Sequence, residues 1–368
     1  MFIILKAGGR HTGGDDFFIS LIIVNEAFID MASLSFLLGM VPATEKVESA
    51  DDQLRADYKA FKDYEESDEF RHFLELEKEI KSSNFALRKK KMKKDEYKNS
   101  EEYHKETEYQ VLKKSDKVVW YYRTKKKYPF KEIEKWDLTF DEKFNKSTLD
   151  RSKWMTRYYW GEESMDNSFV LEDDKSFITD GDNVEFYDNK ARIVTKQGSA
   201  SGLVWRTNQG FVLEDFDFTS GMISTAKSFR QKYGIFKAKV KMAAGSVAQA
   251  FWMVSETMLP HIDVARFENG KLYANYFWGK SNTPHKSVSK TGGSKYADTY
   301  FIYTLEWSPN KLVWKINDKV FKTQTSGIPQ DEMYINFSCN LKKDASENDL
   351  PSAMEIDWIR VYKLKGQN

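Results

Sequence analysis

Apolar positions along the chain follow two different periods. Between residues 50 and 128 they recur at helical spacing, and after about residue 136 they alternate. The first stretch contains neither Gly nor Pro, which removes the two strongest helix breakers, so it predicts helices. Within it SDEFRHFLELEKEIKS (67–82) is echoed by SEEYHKETEYQVLKKS (100–115), each opening on a serine and two acidic residues suited to a helix N-terminus. Phe70, Phe73, Leu74, Glu77 and Ile80 form a stripe broken by one charge, with Tyr103, Tyr109 and Leu112 as a thinner counterpart. Such stripes predict packing faces. Tyr128-Pro129-Phe130 then reads as a linker, because Pro129 cannot continue a helix and biases the residue before it toward extended backbone.

The alternating region predicts strands. NVEFYDNKARIVTKQ turns at Asp188-Asn189 and LVWKINDKVFKTQ at Asn317-Asp318, residue types that tolerate positive φ. Repeated units of this kind over more than two hundred residues, without a helix-length period between them, predict a mainly β fold of two packed antiparallel sheets. The expected organisation is an apolar N-terminal segment (1–49), a charged helical module with a two-copy repeat (50–130) and a β-sandwich (131–368).

The apolar run FFISLIIVNEAFIDMASLSFLLGMVP (17–42) is interrupted by Asn25, Glu26 and Asp30 before it reaches the ~20 residues that span a bilayer, so no membrane span is predicted. It follows Asp15 and Asp16 rather than a basic region, so it is no clear signal peptide. The expectation is a helix packed on the rest of the chain. The alternative takes Met31 as the start, with a short hydrophobic anchor or docking segment after it.

A formal net charge of +1 argues against a general nucleic-acid binder. The basic runs RKKKMKKDEYK (88–98) and RTKKKYPFK (123–131) lie among acidic residues and are read as solvated helix faces. Cys339 is the only cysteine and is expected to be a buried strand residue. The five histidines never recur at metal-binding spacing, and GSASG (198–202) and TGG (291–293) lack the Lys-Ser/Thr of a phosphate loop. No cofactor and no metal site are implied.

The chemistry concentrates in AQAFWMVSETMLPHIDVARFE (248–268). Along a strand His261 and Asp263 share a face, and one inserted residue brings Arg266 round to join them. Phe251-Trp252-Met253 followed by His261-Ile262-Asp263-Val264-Ala265-Arg266 resembles the signature of glycoside hydrolase family 16, the laminarinase, agarase and lichenase group. The likeness continues in order through DLTFDEKFNKSTLDRSKW (137–154), SGMISTAKSFRQKYGIFKAKVKM (220–242), YTLEWSPNKLVWKINDKVF (303–321) and MEIDWIRVYK (354–363). It implies a concanavalin A-like jelly roll with a polysaccharide groove. It also implies an extracellular, cell-surface or virion-associated setting, and calcium bound away from the cleft in many members.

The departures from the family pattern fall on the catalytic positions. The nucleophile position is His261 and the acid/base position Arg266, or Ala265 without a bulge; only the helper aspartate, Asp263, is kept. Ala248 and Gln249 replace a substrate-contacting tryptophan and a proline. A retaining glycosidase needs two carboxyl groups roughly 5–5.5 Å apart, so the resemblance implies a groove without its hydrolytic pair. Trp160, Trp205, Trp252 and Trp278, with His261, Asp263 and Arg266, are the expected glycan contacts. Phe251/Trp252 and Phe277/Trp278 point to opposite faces, so one of each pair at most meets ligand.

The reading is a non-catalytic carbohydrate-binding protein. Arg266 either offers its fork to an acidic glycan or closes an internal salt bridge on Asp263. Two alternatives remain. One is an active hydrolase using Asp263 with Glu268, or His261 as base. The other is a structural or attachment protein whose helices dock to a protein partner.

Overall fold

The structure, a computed structural model, describes residues 41–160, 168–280 and 283–366. Nearly all of the apolar N-terminal run therefore lies outside the described residues. Among the described residues, six helices longer than one turn precede the first strand: α1 (Thr44–Glu65), α2 (Asp68–Ile80), α3 (Ser83–Lys91), α4 (Lys94–Lys98), α5 (Glu101–Lys113) and α6 (Asp116–Lys127). The short α7 (Lys131–Glu134) follows the Pro129 turn. Ser67, Ser82, Ser100 and Ser115 each accept a hydrogen bond from the backbone N–H three residues on, so serine caps set four of the helix starts.

Equal-length α2 and α5 meet through Phe73 and Tyr109, whose rings stack at 5.5 Å. Phe61, Phe70, Tyr121 and Phe130 complete an aromatic core. Two expected stripe positions, Leu74 and Tyr103, are exposed. Leu76 is buried in place of Leu74, because the face turned to α5 and α6 is centred on Phe70, Phe73 and Leu76. Phe130 is fully buried in the helical core, so the linker belongs to the helical module, which ends at α7.

The module does not stand free. Glu48 accepts from Lys239 (2.7 Å) and from Trp358 Nε1 (2.8 Å), and Arg55 lies over the ring of Tyr362. One face of α1 is thus spent on the chain's own outer sheet.

That sheet consists of β7 (Gly234–Lys241), β12 (Tyr300–Ser308), β13 (Lys311–Ile316), β14 (Lys319–Gln324), β16 (Ser352–Leu364) and the first part of β5 (Lys190–Arg206), with β1 (Trp136–Glu142) and β4 (Val184–Tyr187) at one end. The cleft sheet runs in the order β11 (Thr283–Gly292), β10 (Lys271–Lys280), β9 (His261–Glu268), β8 (Ala248–Val254), β15 (Tyr334–Asn340) and the end of β6 (Gly210–Ser224). The long β5–β6 hairpin joins the two sheets. Its far half pairs in parallel with the short β2 (Phe169–Leu171), and β3 (Phe177–Ile178) pairs in parallel with β6 nearer the base, at Thr219 and Ser220. Apart from those two pairings, the strand pairs are antiparallel.

Both predicted hairpin turns occur, with positive φ at Asp188, Asn189, Asn317 and Asp318. The main core lies between the sheets: Phe251, Ile262, Phe267, Tyr276 and Phe337 from one side meet Phe236, Val240, Leu305, Trp314 and Ile356 from the other. Cys339 belongs to this core, and burial pushes its thiol up to about 11. Among the described residues no helix is long and apolar enough to cross a membrane.

Candidate functional site

The cleft is built on the outward face of β8, β9, β10 and β15. Alternation turns Phe251 and Met253 into the core and leaves Ala248, Ala250 and Trp252 on the cleft side. On β9 the pairing slips. Ala265 faces Phe251 while Asp263 faces Trp252, and Arg266 and Ile262 face Tyr273 and Tyr276. One extra residue therefore sits in β9 relative to both neighbours, a bulge that places His261, Asp263 and Arg266 on one face. At the bulge the Asp263 carbonyl is turned to the core, where Trp314 Nε1 donates to it at 3.0 Å.

Asp263 is almost fully buried. Its Oδ1 accepts from His261 Nε2 (3.0 Å) and its Oδ2 from Asn275 Nδ2 (2.7 Å). Burial alone would raise its pKa, but the charges of His261 and Arg266 and the two hydrogen bonds outweigh it and hold the carboxyl below its usual range. Arg266 donates from Nε (2.9 Å) and Nη2 (2.6 Å) to one oxygen of Glu268. The expected bridge from Arg266 to Asp263 is thus replaced by one to Glu268, because Asp263 is already held by His261 and Asn275. The guanidinium fork expected to face an anionic ligand is spent on the same carboxylate.

A cavity of about 150 Å³ opens beside this group, lined by Tyr158, Trp160, Leu171, Trp252, Met258, His261, Asp263, Arg266, Ser338, Asn340 and Lys342 among others. An engineered cavity of about that volume in another protein takes benzene, so the space suits roughly one six-membered ring. The opposite wall carries a second charge group missed in the sequence. Lys342 donates to Asp174 (2.7 Å) and lies 3.3 Å from Asp173. Burial raises the Asp174 carboxyl, against the opposing charge of Lys342. Asn340 carries a buried Oδ1 without a partner at the cavity wall.

The four tryptophans separate. Trp160 is half-buried on the cavity rim and is held by its Nε1 on the Glu256 carbonyl (3.2 Å). Trp252 faces the cleft but is 6% exposed; its ring stacks on His261 at 5.0 Å and 17°, and its Nε1 donates to Ser338 Oγ. It is a wall, not a free platform. Trp278 lies on the opposite face, stacked on core residue Tyr276 at 4.6 Å and packed at Gly327, so it leaves the site. Phe277 takes the cleft side instead, edge-on to His261 at 5.8 Å. Trp205 is outside the cavity lining, on the β5–β6 hairpin opposite Leu171 of β2. Asn275 was missed although its signal was present, a lone amide at the cleft parity of β10 between Tyr273 and Phe277.

Among the described residues, no group of three His, Cys, Asp or Glu side chains is placed to hold a metal.

Residues 171–360 match the pattern of Glycosyl hydrolases family 16, which is half of the chain. Relatives include glucan endo-1,3-beta-glucosidase A1 of Niallia circulans, 23% identical over 265 residues, and endo-1,3-1,4-beta-glycanase EglC of Rhizobium meliloti, 23% over 253. The matches cover 62% and 61% of this chain but only 38% and 51% of those proteins. Keratan-sulfate endo-1,4-beta-galactosidase of Sphingobacterium multivorum is 24% identical over 189 residues, covering 45% of each chain. Among solved structures, the catalytic domain of an endo-1,3-beta-glucanase from Thermotoga petrophila aligns with a TM-score of 0.50 at 17% identity, over 62% of this chain and 98% of that one. A structure from a study of endo-acting O-glycanases of the human gut microbiota aligns at 0.52 and 16%, over 63% and 92%. The sandwich, the bulged strand and the matched span together place this chain in glycosyl hydrolase family 16.

Proposed function

We propose that this chain binds a polysaccharide in the cleft without hydrolysing it at glycosidase rates. The observation that carries the reading is the pairing around Asp263. The two flanking positions hold an imidazole and a guanidinium, Asp263 is kept ionised by His261 and Asn275, and Glu268 is closed on Arg266. Glycoside cleavage needs one carboxyl group that keeps its proton near neutral pH and a second in register across the bond. Among the described residues, none of the groups facing the cavity supplies that pair. The cavity walls, with Trp160 and Tyr158 beside Ser338 and Asn340, supply the mix of apolar faces and hydrogen-bonding groups that sugar rings use. Because Arg266 and Lys342 are each paired to carboxylates, a neutral glycan fits better than an acidic one.

The relatives suggest the probes: laminarin, mixed-linkage β-glucan and keratan sulfate. Retention of laminarin or mixed-linkage β-glucan on an affinity gel, more strongly than keratan sulfate and without release of reducing ends, is the expected result. Reducing ends released from any of them at ordinary glycosidase rates would overturn the proposal.

One observation favours residual hydrolysis as a second reading. Asp174 is a carboxyl raised by burial close to the cavity, the property of a general acid. It is tied to Lys342 and has no exposed side-chain surface, so it must move to reach a substrate. Activity lost in both Asp174→Asn and Glu268→Gln would establish this reading.

A further inference from the structure

The wall of the cleft does not end at the cavity. Leu171, which lines it, pairs across β2 and β5 with Trp205, and Trp205 pairs across β5 and β6 with Phe211. The neighbouring row is Phe169, Leu203 and Leu213. Opposed residues in a ladder project from the same face, so these two rows form one apolar surface running from the cavity to the hairpin tip.

Its inner part is packed: Phe169 lies 5.3 Å from Tyr158, which stacks on Trp160 at 5.6 Å. Its outer part is bare. Trp205 is 42%, Phe211 39% and Leu213 68% exposed, although a large apolar side chain gains by being covered. The other face of the hairpin is occupied, since Phe177 sits so close at Gly202 that a Cβ there would lie 2.0 Å from its ring. The outward face is therefore held firmly in place rather than free to fold inward. Thr207 and Glu172, hydrogen-bonded at 3.1 Å, put polar groups along its rim.

We infer that Trp205 and Phe211 form a second glycan platform, which receives sugar rings of the same chain that seats one ring in the cavity. The inference rests on the polysaccharide-binding reading above and extends it. A polymer longer than the cavity must leave it over a wall, and the wall through Leu171 continues as an apolar face that carries Trp205 and Phe211. Trp205 and Phe211, edge to face at 4.8 Å and 61°, hold each other in place and leave apolar ring surface for the C–H face of a pyranose. The rim supplies acceptors and a hydroxyl for its edge.

The test compares long and short ligands by isothermal titration, using laminarin or mixed-linkage β-glucan against laminaribiose and cellobiose. In Trp205→Ala, affinity for the polymer should fall roughly tenfold, the size of one lost stacking contact, while affinity for the disaccharide stays unchanged. Leu213→Ser should weaken the polymer in the same direction. Both sites are exposed, so the fold persists, checked by unchanged thermal melting. Unchanged polymer affinity in Trp205→Ala, or equal loss for polymer and disaccharide, overturns the platform and leaves the cleft reading standing. A wild-type dimer in sedimentation that Trp205→Ala disperses overturns it too, since the face would then be covered by a second copy. Failure of the wild-type protein to bind any of these glycans removes both the cleft reading and the platform.

Discussion

Trp314→Phe tests the link between the sandwich interior and the cleft. The indole is 1% exposed and donates to the Asp263 carbonyl across the core at 3.0 Å, at the bulge that sets the cleft face. Phenylalanine keeps an aromatic ring but has no N–H, so a buried carbonyl loses a donor, a cost of about 1–3 kcal/mol. The same indole face receives the Lys322 ammonium at 4.5 Å, in a site where Lys322 is itself buried. Weakening that contact adds about 1 kcal/mol, and the space left by the smaller ring about 1 more. The total comes to about 3–5 kcal/mol. Urea unfolding followed by circular dichroism at pH 7 should show the midpoint falling at unchanged slope. Glycan affinity should fall with it, because the bulge orients His261, Asp263 and Arg266. A loss below about 1 kcal/mol with intact binding would refute the claim that Trp314 holds the bulge.

Three further outcomes are expected. Asp263→Ala removes the acceptor of both His261 and Asn275 and leaves a buried amide unpaired, so it should cost about 3–5 kcal/mol in urea unfolding; near-neutral stability would show that the aspartate is no structural centre. Burial pushes the Lys322 amine down to about 8, against an unfolded value of about 10.4, although the charge of Asp263 opposes the shift. Between these values the unfolded chain holds a proton the folded chain has released, so stability should rise by about 1.5 kcal/mol from about pH 8 to about pH 9.5. Lys322→Met should flatten that slope, and a slope unchanged in the variant would exclude Lys322 as its source. Gly234 has φ +120° and an added Cβ would lie 2.1 Å from the Tyr362 carbonyl oxygen, so Gly234→Ala should lower stability by more than about 2 kcal/mol in thermal melting; a neutral result would mean that β7 and β16 can part without cost.

Much of this protein was legible in one dimension. Period and breaker residues determined the order of a helical stretch and an antiparallel sandwich, because each element's apolar repeat reflects which face it must bury. Serine caps at Ser67 and Ser100 and the Asp188-Asn189 and Asn317-Asp318 turns were readable for the same local reason: the backbone groups they satisfy lie within three residues. The residue types at 261, 263 and 266 were equally plain.

What tertiary structure alone decided is how those residues are spent. Arg266 closes on Glu268 rather than on Asp263, because Asn275 from the next strand had already completed Asp263. Trp278 and Phe277 exchange the roles expected of them, since which of two neighbouring aromatics meets the cleft depends on the register of β10 against β9. Trp252 is sealed by His261 and Ser338, and Lys342 reaches the cavity from the segment after β15, far along the chain from Arg266 on β9. Alternation tells which residues share a face. It cannot tell which long-range neighbour takes each charge or covers each ring, because those partners are set by strand order and by the path of the chain between sheets.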